Sequence, residues 1–363
     1  FELVFLGTSG SVPTARRAPT AYLARRGGAR LLFDCGEGTQ RQLLRSRLGL
    51  VDVPEVFLTH YHADHYLGLP GMMKTFALRG RELPLTVYGP PGLRDLFDAL
   101  QRIFGKLTYR LDLMELEPGD VLDRGDYRIV VFRVRHGVVA NGYALVESER
   151  PGRFDVEAAT GLGVPTGPLC GALQRGESVV LPGGGEVRPE QVLGPPRRGR
   201  KLVLTGDTRP ARSVVEVASE ADLLVHDGTF SEEERARADE TGHSTALAAA
   251  ETARLAGVRM LALAHLSNRY FGPEIAREAR GVFPETVVPR DFDIIELPFP
   301  ERGPPSLVKG GAAVAGEEGE RLEHGAARGD ARPDRGGGDP GDPRVGGYFV
   351  GAGAGRRSPS GGP

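Results

Sequence analysis

The chain has 363 residues, including 52 Gly and 28 Pro, and its 46 basic side chains are nearly balanced by 48 acidic ones. That length allows one large domain or two ordinary ones, with ample chain to bury a core. A formal net charge of −2 excludes a uniformly basic, histone-like binder but leaves room for a local basic face.

Cysteine content and apolar runs set further limits. Cys35 and Cys170 alone cannot build a disulfide framework or a four-cysteine zinc site. No apolar run approaches the roughly 20 residues of a membrane span, and we expect no signal peptide. We therefore expect a cytoplasmic protein with no membrane partner.

Short apolar runs closed by turn formers recur through residues 1–300 and predict buried strands. They are Phe1–Leu6, Leu31–Phe33, Val56–Leu58, Leu85–Tyr88, Tyr127–Val134, Leu202–Leu204, Leu223–Val225 and Met260–Ala264. Helical spacing of apolar residues, or an Ala-rich composition, predicts helices at Thr39–Leu48, Pro91–Phe104 and Ser244–Ala256. Strands interleaved with helices favour an α/β fold in which helices cover sheets.

Two segments depart from this pattern. Residues 150–200 are rich in turn formers and show little periodicity, so they are either a surface insertion without a role or a functional segment. Residues 301–363 hold 25 of the 80 Gly and Pro residues and few large apolar ones. We expect this tail to be disordered, and residues 1–300 to form one domain.

The densest group of metal-capable side chains follows the strand predicted at Val56–Leu58. His60, His62, Asp64 and His65 stand within six residues. Imidazole nitrogens with an interposed carboxylate suit zinc better than magnesium, which prefers oxygen ligands. Histidines that only cap a helix beginning near Asp64 would account for one of the four, not for all.

Three more candidates stand just past predicted strands. They are His136, Asp207 and His265. Each alone is more often a turn or cap residue, but the repeated placement favours metal ligands. We expect His136 to complete a first site with His60 and His62, Asp207 to bridge two ions, and His265 to complete the second site. Two ions about 3.5–4 Å apart can clamp the attacking and leaving oxygens of an in-line displacement.

Longer motifs carry a family resemblance. The runs LGTSGSVP (6–13), LLFDCGEGTQRQLL (31–44), THYHADHYLGLPG (59–71), TGDTRP (205–210), GHSTA (242–246) and HLSNRY (265–270) resemble the ribonuclease Z family of the metallo-β-lactamase superfamily. Residues 151–176 resemble the protruding arm of that family, including its Gly-Pro element at 167–168.

This resemblance extends from residue 1 to about residue 300. It implies a four-layer αβ/βα sandwich in which residues 150–200 form an inserted tRNA-binding arm. It also implies two zinc ions per subunit, a homodimer, and precursor tRNA as the partner. The implied reaction removes the 3′ trailer endonucleolytically, leaving a 3′ hydroxyl on the tRNA and a 5′ phosphate on the trailer.

Catalytic roles follow from the resemblance. Asp64 is expected to bind the second zinc ion and to accept a proton from the attacking water; a role as ligand only is the alternative. His243 is the candidate for protonating the leaving 3′ oxygen, with Asp227 orienting its ring. A competing interpretation makes His243 a helix-start residue beside a cap at Ser244 or Thr245. The family often has Glu at position 227, so the shorter carboxylate leaves the rate open.

Other polar residues near these motifs favour supporting roles. We expect Asp34 to hold the free ring nitrogen of a ligand histidine rather than to bind metal itself. His226 is interpreted as a structural residue at a strand end, and Cys35 as a small buried residue.

Positive charge is locally concentrated. Residues 1–50 carry eight Arg against three acidic residues, and residues 150–201 carry seven Arg and one Lys against five. Such a basic rim and basic arm suit the phosphates of a folded RNA that is recognised by shape. Arginine is abundant in this chain, so an ordinary solvated surface is the alternative interpretation.

Two rival functions remain open. A dizinc phosphodiesterase or sulfatase acting on small molecules would use the same metal cluster but would not need the arm. A non-catalytic RNA-binding member would be expected to have lost ligands, and none of the seven is missing.

Overall fold

The structure is a computed structural model that describes residues 1–46, 48–49 and 53–310. The helices are α1 (Thr39–Arg45), α2 (Ala63–Tyr66), α3 (Gly68–Leu78), α4 (Leu93–Phe104), α5 (Val156–Gly161), α6 (Pro168–Gln174), α7 (Arg212–Ala218), α8 (Arg235–Thr241), α9 (Ala246–Ala256) and α10 (Gly272–Arg280). In the described part of the chain, no helix has the length and apolar character needed to cross a membrane.

Strands form two large sheets and one small one. The strands are β1 (Glu2–Gly7), β2 (Ala21–Arg26), β3 (Ala29–Phe33), β4 (Glu55–Phe57), β5 (Leu85–Gly89), β6 (Leu111–Glu115), β7 (Val121–Asp123), β8 (Tyr127–Arg133), β9 (Asn141–Glu147), β10 (Val179–Val180), β11 (Glu186–Val187), β12 (Lys201–Leu204), β13 (Leu223–Asp227), β14 (Leu261–Ala264), β15 (Thr286–Val287), β16 (Ile294–Glu296) and β17 (Ser306–Val308). The first sheet has the order β17-β16-β1-β2-β3-β4-β5-β6, and the second has the order β15-β14-β13-β12-β9-β8-β7.

Both faces of each large sheet are buried along its central strands. Along β1, Leu3 and Phe5 belong to a core shared with the second sheet, whereas Val4 and Leu6 belong to a core shared with α1, α3 and α4. The opposite face of the second sheet packs against α7, α9 and α10. Successive strand residues point to opposite faces, so a strand buried on both sides is a continuous apolar run. The result is a four-layer αβ/βα sandwich, as predicted.

Each predicted strand and helix overlaps one in the structure, but the chain after residue 300 departs from expectation. Strand β17 pairs with β16 in antiparallel register, opposing Ile295 to Leu307. The prediction of disorder from residue 301 is therefore wrong for residues 306–308. Backbone pairing to an existing sheet edge orders them, and composition does not reveal such pairing. Residues 311–363 of the predicted tail lie outside the described residues.

Residues 150–200, here called the arm, have their own structure. Helices α5 and α6 and the β10–β11 hairpin enclose a small apolar core. Its buried members are Ala159, Val164, Leu173, Val179, Val187 and Val192. The two legs of the arm meet as an antiparallel pair at Arg150 and Arg197 and again at Phe154 and Leu193. We call residues 150–154 and 193–197 the stalk.

Candidate metal centre

All seven candidate ligands meet at one edge of the two sheets. His60 follows β4, His136 follows β8, Asp207 follows β12 and His265 follows β14. The run from His62 to His65 turns into α2, with His62 at its N-cap. Strands β12, β13 and β14 are parallel, so their carboxyl ends lie at one edge, where α/β proteins commonly bind ligands.

Three histidines and a carboxylate form the first cluster. Nδ1 of His62 lies 3.0 Å from Nε2 of His60 and 3.2 Å from Nε2 of His136. Oδ2 of Asp207 lies 3.6 Å from His60 Nε2. Four ligands placed tetrahedrally at the usual zinc distance would be roughly 3.3 Å apart. The spacing of these atoms is that of a metal coordination shell.

The second cluster shares the same carboxylate oxygen. Oδ2 of Asp207 lies 3.3 Å from Nε2 of both His65 and His265. Oδ2 of Asp64 lies 3.2 Å from His265 Nε2 and 3.6 Å from His65 Nε2. Asp207 therefore faces both clusters at once, which is the placement that a bridging ligand requires.

Other groups fix the ring orientations of these histidines. In His65, His136 and His265, the ring nitrogen turned away from the cluster is Nδ1. This atom lies 2.8 Å from Asp34 Oδ2 in His65, and it lies 2.8 Å from the Gly242 carbonyl oxygen in His136. In His265 it lies 2.8 Å from the Thr229 hydroxyl. Such outer partners fix the tautomer and raise ligand basicity. Asp34 stands where the sequence predicts it.

Protonation in the cluster follows from burial and charge. Burial, together with the charge of nearby His65, lowers the pKa of His60 well below its usual value. Burial alone would raise the pKa of Asp207, but its histidine neighbours outweigh burial and hold that pKa far below normal. Burial would lower the pKa of His65, yet the Asp207 and Asp34 carboxylates raise it strongly. Carboxylates on two sides of a buried imidazole favour a positive charge at this position.

The donor set fits a metal ion. Nε2 of His65 and Oδ1 of Asp207 are buried and have no hydrogen-bond partner among the described residues. Buried polar atoms without hydrogen-bond partners are rare in proteins, and a bound ion is one explanation for them. His62 is exposed and His136 and Asp64 are half-buried, so the cluster opens to solvent on that side. The chain therefore has a metal-binding site that a substrate can reach.

Backbone conformations near the site are unusual. His265 and Asp34 both adopt positive φ, at 57° and 55°. Residues other than glycine rarely do so outside functional or turn positions. Ser11 also has a positive φ, of 54°, and its N–H donates to Asp64 Oδ2 at 2.7 Å. The first loop therefore positions the metal-facing oxygen of Asp64.

His243 and Asp227 form a pair beside the metal cluster. Nδ1 of His243 lies 2.9 Å from Asp227 Oδ2, and Oδ1 of Asp227 accepts from both N–H and Oγ1 of Thr229. Burial would lower the pKa of His243, but the charge and hydrogen bond of Asp227 raise it to about 9. The shorter carboxylate at position 227 therefore reaches the ring directly. The helix cap itself is Thr245, which accepts from the Ala248 N–H.

Several supporting groups escaped sequence analysis. Oγ1 of Thr59 lies 3.0 Å from His60 Nδ1, and Thr229 contacts His265 as described above. Threonines at strand ends are common, so neither carried a signal of its own. His226 lies buried in β13, with Nδ1 2.9 Å from the Asp227 carbonyl, in keeping with the structural role assigned to it.

Most basic residues at the base of the arm are already paired. Four arginines of the segment contact carboxylates of the main body: Arg150 and Arg197 with Glu301, Arg198 with Asp222, and Arg200 with Glu147. In contrast, Arg153 and Arg188 are exposed and make no ion pair within the described residues. The basic balance counted from the sequence thus overstates the unpaired positive charge on the arm.

Comparisons with known proteins agree with this geometry. Residues 15–162 match the model of the metallo-beta-lactamase superfamily. The chain is 44% identical over 301 residues to ribonuclease Z of Methanosarcina acetivorans, which covers 82% of this chain and 98% of the relative. It is 48% identical over 318 residues to ribonuclease Z of Haloferax volcanii, covering 86% and 98%.

A solved structure shows the same architecture. The short form of human tRNase Z superposes with a TM-score of 0.61 at 27% identity, covering 82% of this chain and all of that one. The alignments to both curated relatives span nearly the whole length of each relative. The chain belongs to the ribonuclease Z family of the metallo-β-lactamase superfamily.

Proposed function

We propose that this chain is the endoribonuclease that removes 3′ trailers from precursor tRNA. The products would be a tRNA with a 3′ hydroxyl and a trailer with a 5′ phosphate. The observation that carries the proposal is the identity of 44% and 48% to two ribonuclease Z proteins over almost their full length. The clustered histidines and aspartates of the metal-binding site support it independently.

We further propose two zinc ions as the resident metals. His60, His62, His136 and Asp207 would hold one ion, and Asp64, His65, His265 and Asp207 would hold the other. Imidazole and carboxylate donors at this spacing suit zinc. When bound, the ions would supply Lewis acidity toward the phosphate and lower the pKa of an attacking water.

The remaining steps belong to side chains of this chain. Asp64, half-buried at the open side and held by the Ser11 N–H, is placed to accept the proton that the attacking water loses. His243 carries a proton that Asp227 stabilises. It is placed to pass that proton to the leaving 3′ oxygen.

The arm is proposed to hold the body of the tRNA. Its exposed Arg153 and Arg188 are available to phosphates, and its stalk leaves the sheet where β9 ends and β12 begins, opposite the edge that carries Asp207. Six residues separate Arg200 from Asp207, so the two are up to roughly 20 Å apart along the chain. The arm therefore suits recognition of a large, folded substrate at a distance from the scissile bond. A homodimer and a cytoplasmic location stay predictions.

Replacing residues 152–195 with a short Gly-Ser linker tests the proposal. The stalk legs meet at the Arg150–Arg197 pair, so the linker joins ends that are already adjacent. We expect kcat/KM for a trailer-bearing precursor tRNA to fall roughly 100-fold or more because phosphate contacts are lost. Hydrolysis of bis(p-nitrophenyl) phosphate should be retained.

Two results would contradict parts of the proposal. Failure of the intact protein to cleave precursor tRNA, with normal hydrolysis of the small phosphodiester, would favour the small-molecule phosphodiesterase. Equal loss of both activities on arm removal would mean that the arm supports the fold. Analysis of the product ends and of bound metal would check the cleavage chemistry and the zinc assignment.

A further inference from the structure

One carboxylate joins both legs of the arm to the main body. Glu301 lies in the short turn Pro300–Arg302 that follows β16. Its Oε2 lies 2.9 Å from Nη2 of Arg150 on one leg, and its Oε1 lies 3.2 Å from Nη1 of Arg197 on the other. Arg150 and Arg197 also pair with each other, because each backbone N–H donates to the other's carbonyl, at 2.8 and 2.9 Å.

The turn that carries Glu301 is itself fixed to the body. Arg259 donates to the Gly303 carbonyl at 2.7 Å and pairs with the buried Asp222. Before the turn, Arg200 donates to the Leu297 carbonyl at 3.1 Å. After it, β17 pairs with β16. Arg200 belongs to the arm, but the contact from Arg259 and the β16–β17 pairing lie outside it and hold Glu301 independently of the arm.

An aromatic ring also contacts the arginines at the base of the arm. The guanidinium carbon of Arg150 lies 3.6 Å from the centre of the Phe299 ring, and that of Arg200 lies 4.1 Å from it. Such cation–π contacts hold the planar guanidinium groups in a defined orientation. Arg150 therefore reaches Glu301 from a fixed position.

The stalk needs such a support because it is narrow. Only two chain segments connect the arm to the sheet, and they touch: a Cβ on Gly152 would lie 1.8 Å from the Gly194 carbonyl oxygen. A two-stranded ribbon alone is marginally stable and flexes. Any change of its angle at the base is magnified at the RNA-binding end.

We propose that Glu301 is a positioning residue that fixes the angle of the arm relative to the metal centre. This inference rests on the proposed function. Glu301 does not touch the metal ligands, and its role is to keep the arm where tRNA and scissile bond are engaged together. Without it, two arginines of the stalk lose their shared counter-charge and the arm turns more freely.

Glu301→Gln tests this proposal, with Glu296→Gln as the matched control. Glu296 is exposed on β16, and it makes no ion pair with any residue between 53 and 310. We expect KM for precursor tRNA to rise roughly fivefold in Glu301→Gln, as suits the loss of two partly exposed ion pairs. Hydrolysis of bis(p-nitrophenyl) phosphate should not change, nor should either activity of the control. Glu301→Asp should recover part of the tRNA affinity.

A second readout follows the arm directly. Cys170 lies partly exposed on α6, whereas Cys35 is fully buried, so a maleimide fluorophore can be attached selectively to the arm. We expect the fluorescence anisotropy of that probe to be lower in Glu301→Gln than in the unaltered protein and in Glu296→Gln.

Three outcomes would overturn the proposal. Unchanged KM and anisotropy, in a protein that cleaves precursor tRNA, would show that the arm is fixed without Glu301. A lower KM would show that the stalk arginines contact RNA and that Glu301 screens them. A parallel loss of small-phosphodiester hydrolysis would place the role of Glu301 in the metal centre. If the unaltered protein does not cleave precursor tRNA at all, the proposed function itself fails.

Discussion

The metal centre and the arm are built on opposite principles. His60, His65, Asp207 and His265 are buried, and partners across several strands fix their side chains. The arm has only six buried apolar residues and connects through two chain segments. Chemistry that needs atoms placed within a fraction of an ångström lies on rigid strand ends. Recognition of a large RNA, the role proposed for the arm, tolerates a smaller, separately folded unit.

The largest effect is expected from a change in the metal centre that should affect every substrate. Asp64→Ala removes a predicted ligand and the predicted proton acceptor, so kcat should fall about 10³-fold or more on both precursor tRNA and bis(p-nitrophenyl) phosphate. Steady-state kinetics and metal analysis check this. Asp98→Ala, at an exposed position on α4, is the control. Near-normal turnover with unchanged metal content would contradict the proposed role of Asp64.

A smaller effect, which should depend on the substrate, is expected when the predicted proton donor is replaced. His243→Ala should lower kcat about 100-fold on precursor tRNA, whose leaving alkoxide needs a proton. It should have little effect on bis(p-nitrophenyl) phosphate, because nitrophenolate leaves without protonation. Asp227→Asn, which keeps the ring in place but removes its charged partner, should show a weaker form of the same pattern. Equal losses on both substrates would assign His243 to metal-site structure.

The smallest effect is expected where the base of the arm contacts the main body. Glu147 is buried at the end of β9 and pairs with Arg200 and Arg26. Burial would raise the pKa of Glu147, but these arginines outweigh burial and hold it at about 2, below the ordinary 4.5. Its ionised form therefore stabilises the fold above pH 4.5, and that stabilisation is lost as pH falls toward 2.

We expect Glu147→Gln to lower the free energy of unfolding by about 2 kcal/mol at pH 7, after allowance for solvent screening. The difference from the unaltered protein should shrink between pH 4.5 and 2. Urea unfolding at matched pH values measures it, with Glu149→Gln, an exposed neighbour, as the control. A difference that stays constant with pH would show that packing, not charge, accounts for the effect.

Much of the fold could be predicted from the sequence. Strands buried on both faces, such as β1 and β13, are continuous apolar runs that composition reveals. Helix α3 did not stand out, because Gly68, Pro70 and Gly71 lie in its first turns, where proline is tolerated but helix propensity is low. The arm helices are six and seven residues long, too short for apolar periodicity to emerge.

The site was predictable to the extent that its chemistry lies in unusual side chains. Histidines at strand ends are rare enough to indicate a metal cluster, and all seven predicted ligands meet. The Gly242 carbonyl and the Ser11 N–H are backbone groups, so no residue type indicates them. The stalk arginines pair with Glu301, a residue more than 100 positions away in the sequence, so no local pattern indicates this contact.

The adjacency of the two stalk legs has a consequence for how this enzyme can change over evolutionary time. Because the arm leaves and rejoins the body at one hydrogen-bonded pair, its length can vary at a small entropic cost to the body. Mutations that enlarge, shorten or recharge the arm need not disturb any strand that carries a metal ligand. Under the proposed role of the arm, the range of RNAs that the enzyme accepts can therefore drift while its hydrolytic chemistry stays constant.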